Sequence, residues 1–307
     1  MNIISVNISE KKGVVKKPVN SIELYEKGVK NDAHSGLWHR QVSLLGTESF
    51  EKFSNQAGRQ IVYGEFAENI TTEGILLYKT SPLDRFVGEN IELEVTQIGK
   101  KCHGDSCAIY REVGNCVMPK EGIFARVIRG GSLKAGEKLE YQPKIFKTKI
   151  ITLSDRASAG EYEDKSGPRI KELLSEHFTK VNKHFEIDIE LIPDNAQKLT
   201  EIIKKSISEK YDFIFTTGGT GIGPKDITPE TVKPLIEKEI PGIMEIIRMK
   251  YGMEKPNALL SRGIAGVTEK TQIYTLPGSV KAVNEYMCEI IKTIDHLVLM
   301  LYGIDGH

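Results

Sequence analysis

The run Thr216-Thr217-Gly218-Gly219-Thr220-Gly221-Ile222-Gly223-Pro224-Lys225-Asp226-Ile227-Thr228-Pro229-Glu230 constrains this chain more than any other stretch. Ahead of it, Tyr211-Asp212-Phe213-Ile214-Phe215 reads as a short buried strand, aromatic and β-branched, with no Gly or Pro. Behind it, Thr228 is suited to cap a helix, Pro229 to its first position, and Glu230 to its positive terminus. The segment is therefore strand, glycine turn, helix. Gly218, Gly219, Gly221 and Gly223 let the backbone approach a bulky anion and turn N–H groups toward it. Asp226 enters the same turn as a lone carboxylate, which makes sense beside phosphate when a divalent cation lies between them. The reading is a nucleotide or phosphate site that uses magnesium.

Two familiar phosphate loops fail. Gly218 and Gly223 have P-loop spacing, but Pro224 stands at the lysine position and no hydroxyl follows Lys225. Gly219-x-Gly221-x-Gly223 is one residue short of the dinucleotide fingerprint. A glycine-rich connection without a ligand would not need Asp226.

The full string resembles the signature of the molybdopterin-binding family, which includes molybdopterin adenylyltransferases and the related domains of gephyrin. The resemblance runs from about Lys147 to the C-terminus. It takes in Thr148 to Gly160, Ile192-Pro193-Asp194, Leu260-Ser261-Arg262-Gly263-Ile264-Ala265-Gly266 and Leu276-Pro277-Gly278-Ser279. It implies adenylyl transfer, with molybdopterin and ATP giving adenylated molybdopterin and pyrophosphate. On that reading Asp226 holds Mg2+ against the ATP phosphates, and Asp194 is a co-ligand or orients the pterin phosphate. Ser154, Thr217, Gly218, Gly219, Thr220, Gly221, Ser261, Pro277, Gly278 and Ser279 line the substrate site. The resemblance also implies a homotrimer, for which the apolar stretch Ile240 to Met249 offers an interface, and a molybdate insertase as partner. Three milder readings stand beside these: Asp194 as a turn residue, Asp155 and Arg156 as a local ion pair, and Ser261 and Ser279 as helix caps. A molybdopterin carrier without chemistry and an insertase-related activity are the alternative functions.

A chain of 307 residues suits two domains. From Ile145 strands and helices alternate, with strands expected at Lys149–Leu153, Glu186–Ile192, Tyr211–Thr216 and Gln272–Leu276. Helices are expected at Gly167–His177, Gln197–Glu209, Pro229–Lys238 (kinked at Pro234), Pro241–Lys250 and Val280–Met300. This is a three-layer α/β domain, residues 147–307, with a mostly parallel sheet whose ligands bind at the carboxyl ends of the strands. Residues 1–144 read instead as short strands, at Asn2–Val6, Ile75–Tyr78, Ile91–Ile98 and Ile123–Ile128, with one helix over Thr47–Gln56 capped by Thr47. Such texture predicts a small closed β-barrel.

That half resembles the MOSC domain, a barrel linked to molybdenum-cofactor sulfuration, in Asn31 to Arg40, Phe66 to Gly74 and Thr96 to His103. Ala67 stands where that family usually has glycine. The resemblance places the characteristic sulfur- or cofactor-binding cysteine on Cys102, with the molybdenum cofactor as the bound group and Cys116 as its rival. Lys100, Lys101 and His103 would favour the Cys102 thiolate, while Cys288 falls in an apolar helix and is expected to be slow. Zinc held by Cys102, His103, Cys107 and Cys116 and simple burial of these cysteines remain open.

Lys+Arg and Asp+Glu are both 42, so the formal net charge is zero and nucleic acid is not an expected partner. The N-terminus lacks signal-peptide layout and no apolar run approaches the ~20 residues of a membrane span, so a cytoplasmic protein is expected.

Overall fold

A computed structural model of the chain describes residues 1–12, 14–101 and 117–304. Cys102, His103, Cys107 and Cys116, and with them the sulfur and zinc readings, lie outside the described residues. The chain divides into two compact units, Met1–Lys144 and the part from Ile145 onward.

The N-terminal unit contains β1 (Asn2–Ile8), β2 (Lys17–Val19), β3 (Ser21–Tyr25), β4 (Gly28–Val29), β5 (Val42–Gly46), helix α1 (Thr47–Ala57), β6 (Ile70–Glu73), β7 (Arg85–Val87), β8 (Glu92–Ile98), β9 (Ile123–Arg129), β10 (Gly131–Lys134) and β11 (Glu140–Gln142). Among the described residues an eight-stranded sheet runs β11-β7-β8-β9-β5-β6-β1-β2, and a three-stranded one runs β10-β3-β4. The expected closed barrel is not formed: no ladder joins β2 to β11 among the described residues. The small sheet covers the large one instead. Alternate residues Ile22 and Leu24 of β3 and Leu133 of β10 point into one core with Ile3, Val6, Leu44 and Leu93. Burying that face achieves what closure would have done. Ile75–Tyr78 is not a strand; a 3-10 turn occupies Leu77–Lys79, and the pairing segment lies earlier, at Ile70–Glu73. The α1 N-cap is Gly46 without a side-chain bond, and Thr47 is already helical.

The second unit contains β12 (Ile145–Leu153), α2 (Asp155–Ser158), α3 (Ser166–Lys180), β13 (His184–Ile192), α4 (Ala196–Ser208), β14 (Phe213–Thr217), α5 (Thr228–Val232), β15 (Lys238–Glu239), α6 (Pro241–Glu254), β16 (Ala265–Thr268), β17 (Thr271–Leu276) and α7 (Val280–Leu301). The sheet order is β13-β12-β14-β17-β16-β15, parallel through β17 and antiparallel for the last two strands. Successive side chains of a strand face opposite ways. Ile151, Leu153, Ile214 and Ile273 meet Leu199 and Ile203 of α4 on one face. On the other, Phe146 and Phe213 meet Phe178 of α3 at ring distances of 6.2 and 5.6 Å. Three layers result. The expected helix over Pro229–Lys238 is shorter: α5 ends at Val232, and a 3-10 turn carries Pro234, because proline supplies no N–H to continue an α-helix. Cys288 is exposed on α7 rather than held in an apolar setting.

The register aligns the strand ends. Leu153 pairs with Ile192, Thr152 with Thr217, and Thr217 with Leu276. Ser154, Asp194, Thr217 and Pro277 therefore share one edge of the sheet.

Candidate active site

The glycine loop leaves β14 along a path only glycine follows easily. Gly218 has φ +106°, and a Cβ there would stand 2.3 Å from the Leu153 carbonyl oxygen. Gly219 has φ +63°, and its Cβ would stand 2.6 Å from Thr228 Oγ1. Thr228 does not cap a helix through its side chain; its hydroxyl donates to the Gly218 carbonyl at 2.8 Å and ties the two ends of the loop together. Asp226 folds back over the loop, its Oδ2 accepting from Gly223 N–H at 2.7 Å. A Cβ at Gly221 would lie only 2.8 Å from that oxygen.

Two of the loop's carbonyls face one side chain. Arg262 Nε donates to the Gly221 carbonyl at 2.7 Å and Nη2 to the Asp226 carbonyl at 3.0 Å. The Arg262 backbone N–H donates to the Thr220 carbonyl at 3.0 Å, and Nη1 pairs with Glu230. Glu230's carboxyl is held below its usual range, first by its own backbone N–H and then by Arg262. The N–H groups of Gly219, Thr220 and Gly221 have no hydrogen-bond partner among the described residues.

These groups border a cleft of about 410 Å³, which Gly219, Thr220, Gly221, Asp226, Ser261, Pro277, Gly278 and Ser279 help to line. Ser261 caps the C-terminal end of the 3-10 helix Pro256–Leu260, its N–H donating to the Ala258 carbonyl, while its Oγ accepts from the Tyr286 hydroxyl at 2.7 Å, and burial pushes that phenol up. Ser279 does cap, accepting from Ala282 N–H at the start of α7. Lys255 and Lys281 also line the cleft; Lys255 pairs with Glu285 at 2.6 Å, and the neighbouring Lys255 ammonium lowers Lys281.

Ser154 lies in a second cleft of about 440 Å³ with Tyr162, Asp164 and Ser166, and Gly278 borders both clefts. Its Oγ shares a hydrogen bond of 2.8 Å with the Tyr162 hydroxyl and caps α2 by accepting from Ala157 N–H. Asp164 accepts from Thr152 Oγ1 at 2.7 Å and from the Ser166 and Gly167 amides. Thr217 is fully buried beneath the loop, its hydroxyl donated to the Pro277 carbonyl. Asp194 is locked to Asp155. Each carboxylate accepts from the other's backbone N–H, at 3.1 and 3.0 Å. Asp155 does not pair with Arg156. Lys225, from the glycine loop, reaches Asp155 at 2.6 Å and holds its carboxyl below the usual range, while Arg156 turns to Glu161. Asp194 thus touches the loop through Asp155 and Lys225 rather than through the Asp226 cleft.

Among the described residues no group of three or more His, Cys, Asp or Glu is placed to hold a metal. Magnesium is commonly held by one or two carboxylates plus substrate phosphates, and a lone Asp226 beside free loop amides fits that donor set. The sequence reading left Arg262, Lys225, Asp155 and Tyr286 without a role in the site, because their partners lie far away along the chain. Arg262, Lys225 and Asp155 carried one signal, their places inside the motif segments; Tyr286 carried none.

A probable molybdopterin-binding domain matches residues 149–296, and a MOSC domain matches residues 31–140. A molybdopterin adenylyltransferase of Helicobacter pylori is 37% identical over 155 residues, covering 50% of this chain and 86% of the relative. This chain belongs to the molybdopterin-binding family. A molybdopterin adenylyltransferase of Pyrococcus furiosus is 38% identical over 156 residues, covering 49% of the chain and 88% of the relative. Gephyrin of Dictyostelium discoideum is 37% identical over 155 residues, but the match spans only 21% of that relative.

Proposed function

We propose that the second unit transfers the adenylyl group of ATP to molybdopterin and releases pyrophosphate, as a step in molybdenum-cofactor biosynthesis. The observation that carries this reading is that Asp226 lines one cleft with Gly219, Thr220 and Gly221, whose N–H groups have no partner among the described residues. Adenylyl transfer asks for charge neutralisation and in-line positioning more than for a covalent catalyst. An oxygen of the pterin phosphate attacks the α-phosphorus, and the bond to the bridging oxygen breaks as pyrophosphate leaves. Asp226 would hold Mg2+; bound with the triphosphate, the ion would neutralise charge across the phosphates. The loop amides bind phosphate oxygens, and Ser261 and Ser279 hydrogen-bond substrate from the cleft wall. Ser154 serves the pterin from the adjoining cleft. Asp194 fixes the end of β13 and, through Asp155 and Lys225, the position of the loop.

The unit works as a homotrimer, consistent with the exposed apolar side chains Ile246, Met249 and Met253 on α6. Its product passes to a molybdate insertase. The N-terminal unit handles sulfur or the molybdenum cofactor, with Cys102 as the residue involved. The protein acts in the cytoplasm; no helix among the described residues is long and apolar enough to cross a membrane.

Incubation with molybdopterin, ATP and Mg2+, followed by mass spectrometry, should yield adenylated pterin and equimolar pyrophosphate. No product from the purified wild type would sink the reading. Loss of one preorganised electrostatic group costs about 10²- to 10³-fold in rate, and Asp226→Ala should fall by that amount with an unchanged melting temperature. A variant that still turned over at the wild-type rate would remove Asp226 from the mechanism.

A further inference from the structure

Three of Arg262's side-chain nitrogens are engaged by the protein itself: Nε with the Gly221 carbonyl, Nη2 with the Asp226 carbonyl, and Nη1 with Glu230. Its own amide takes the Thr220 carbonyl, so one residue gathers carbonyls at both ends of the 220–226 turn. A peptide group whose carbonyl points one way presents its N–H the other way. Holding the Thr220, Gly221 and Asp226 carbonyls therefore turns the Gly221, Ile222 and Ile227 N–H groups away from Arg262 and sets the backbone from which the Asp226 carboxylate projects.

We propose that Arg262 is the positioning residue of this site, fixing through its planar fork the turn that carries Asp226 rather than touching substrate. Two facts separate this from a direct phosphate contact. Glu230 lies against the guanidinium and compensates its charge, and Arg262 does not border the cleft that Asp226 lines. A lysine would keep the charge at this position but could not serve two diverging carbonyls and a carboxylate together. Arg262→Lys is therefore the informative change, because it separates geometry from charge.

Lys225 provides a readout that needs no ligand. It stands in the loop, its ammonium paired with Asp155, and Asp226 follows it, so trypsin will cut there once the loop loosens. Limited proteolysis of the full chain, followed by mass spectrometry, should show cleavage after Lys225 at least tenfold faster in Arg262→Lys than in wild type. Cleavage elsewhere should be unchanged, whereas a variant that merely folded poorly would be cut faster throughout. Glu230→Gln keeps the fork but removes its counter-charge, and should raise the same cleavage by a smaller factor.

The kinetic arm rests on the adenylyl-transfer reading. Arg262→Lys and Arg262→Gln should lose kcat to the same extent, about tenfold or more, with KM for molybdopterin within twofold of wild type. Retention of wild-type kcat and unchanged Lys225 cleavage in Arg262→Lys would overturn the proposal. So would a rise in KM for ATP in Arg262→Gln that Arg262→Lys restores, since that pattern marks a direct charge contact. Absence of adenylated product from the wild type would sink the functional reading, while the proteolysis would still decide the role of Arg262.

Discussion

One Lys–Asp pair taken from each unit shows how differently the same two residue types can be placed. Lys16 and Asp32 meet with side chains 1% exposed, whereas Lys225 and Asp155 meet at 77% and 40% exposure. Around Lys16 the interior is polar. Ser9 N–H donates to Asp32 at 3.1 Å, His34 N–H donates to it at 3.0 Å, and His34 Nδ1 lies 3.5 Å from Lys16 Nζ. Burial alone would raise the Asp32 carboxyl, but hydrogen bonds from His34 and Lys16 hold it well below its usual range. For Lys16 burial wins, and its pKa is lowered. Glu68, nearby in the same interior, is pushed up to about 7 by burial; its Oε1 takes the Gly64 amide and Thr71 hydroxyl, while Oε2 has no partner among the described residues. The lesson is that the same two residue types serve different ends. In water the pair steers a loop and is cheap to make or break; in the interior each charge depends on the other.

Removing one partner should expose that difference most strongly. Lys16→Met leaves a buried carboxylate uncompensated and should cost about 3–5 kcal/mol of stability in the N-terminal unit. Trp38, the only tryptophan in the chain, lies in this unit and reports its urea unfolding by fluorescence. A loss below about 1 kcal/mol would place Lys16 with the surface pairs and break the comparison.

The next effect is a pH dependence. Glu68 binds its proton more tightly folded than unfolded, so its contribution is complete below about 4.5 and is lost as pH rises through about 7. Glu68→Gln should abolish that slope and be the more stable protein at pH 8. Parallel stability profiles for variant and wild type across that window would show that Glu68 does not titrate there.

The smallest effect belongs to Lys225→Ala. It should leave the melting temperature unchanged, because both partners are in solvent, while slowing turnover by loosening the tie between the loop and Asp155. A clear drop in melting temperature would show the exposed pair to be structural and erase the contrast.

The second unit was largely legible in the sequence because its signals are local. A buried run, a glycine turn and a helix start succeed one another within a few residues, and the expected strands lie within a few residues of β12, β13, β14 and β17. What could not be read was tertiary: the carbonyls gathered by Arg262, the reciprocal Asp155–Asp194 lock, and the antiparallel strands β15 and β16, too short for periodicity to register. In the first unit, Lys16 and Lys17 are adjacent and of one residue type, yet one is buried and the other exposed. Only pairing with Asp32 separates them. The missing barrel closure has a similar cause, since strand patterning reports which face is buried and not whether a sheet's two edges meet.

That unclosed sheet has a colloidal consequence. An open edge offers unpaired backbone groups to any passing strand, and a chain with zero formal net charge gains no general repulsion to keep copies apart. Both rims are blunted. β2 pairs with β1 alone and carries Lys17 and Pro18, so one backbone donor is missing and a charge stands beside it; β11 is three residues long and carries exposed Glu140. An incoming strand finds too few consecutive donors to zip along, and these short rims should spare the protein from edge-to-edge fibril growth at high concentration.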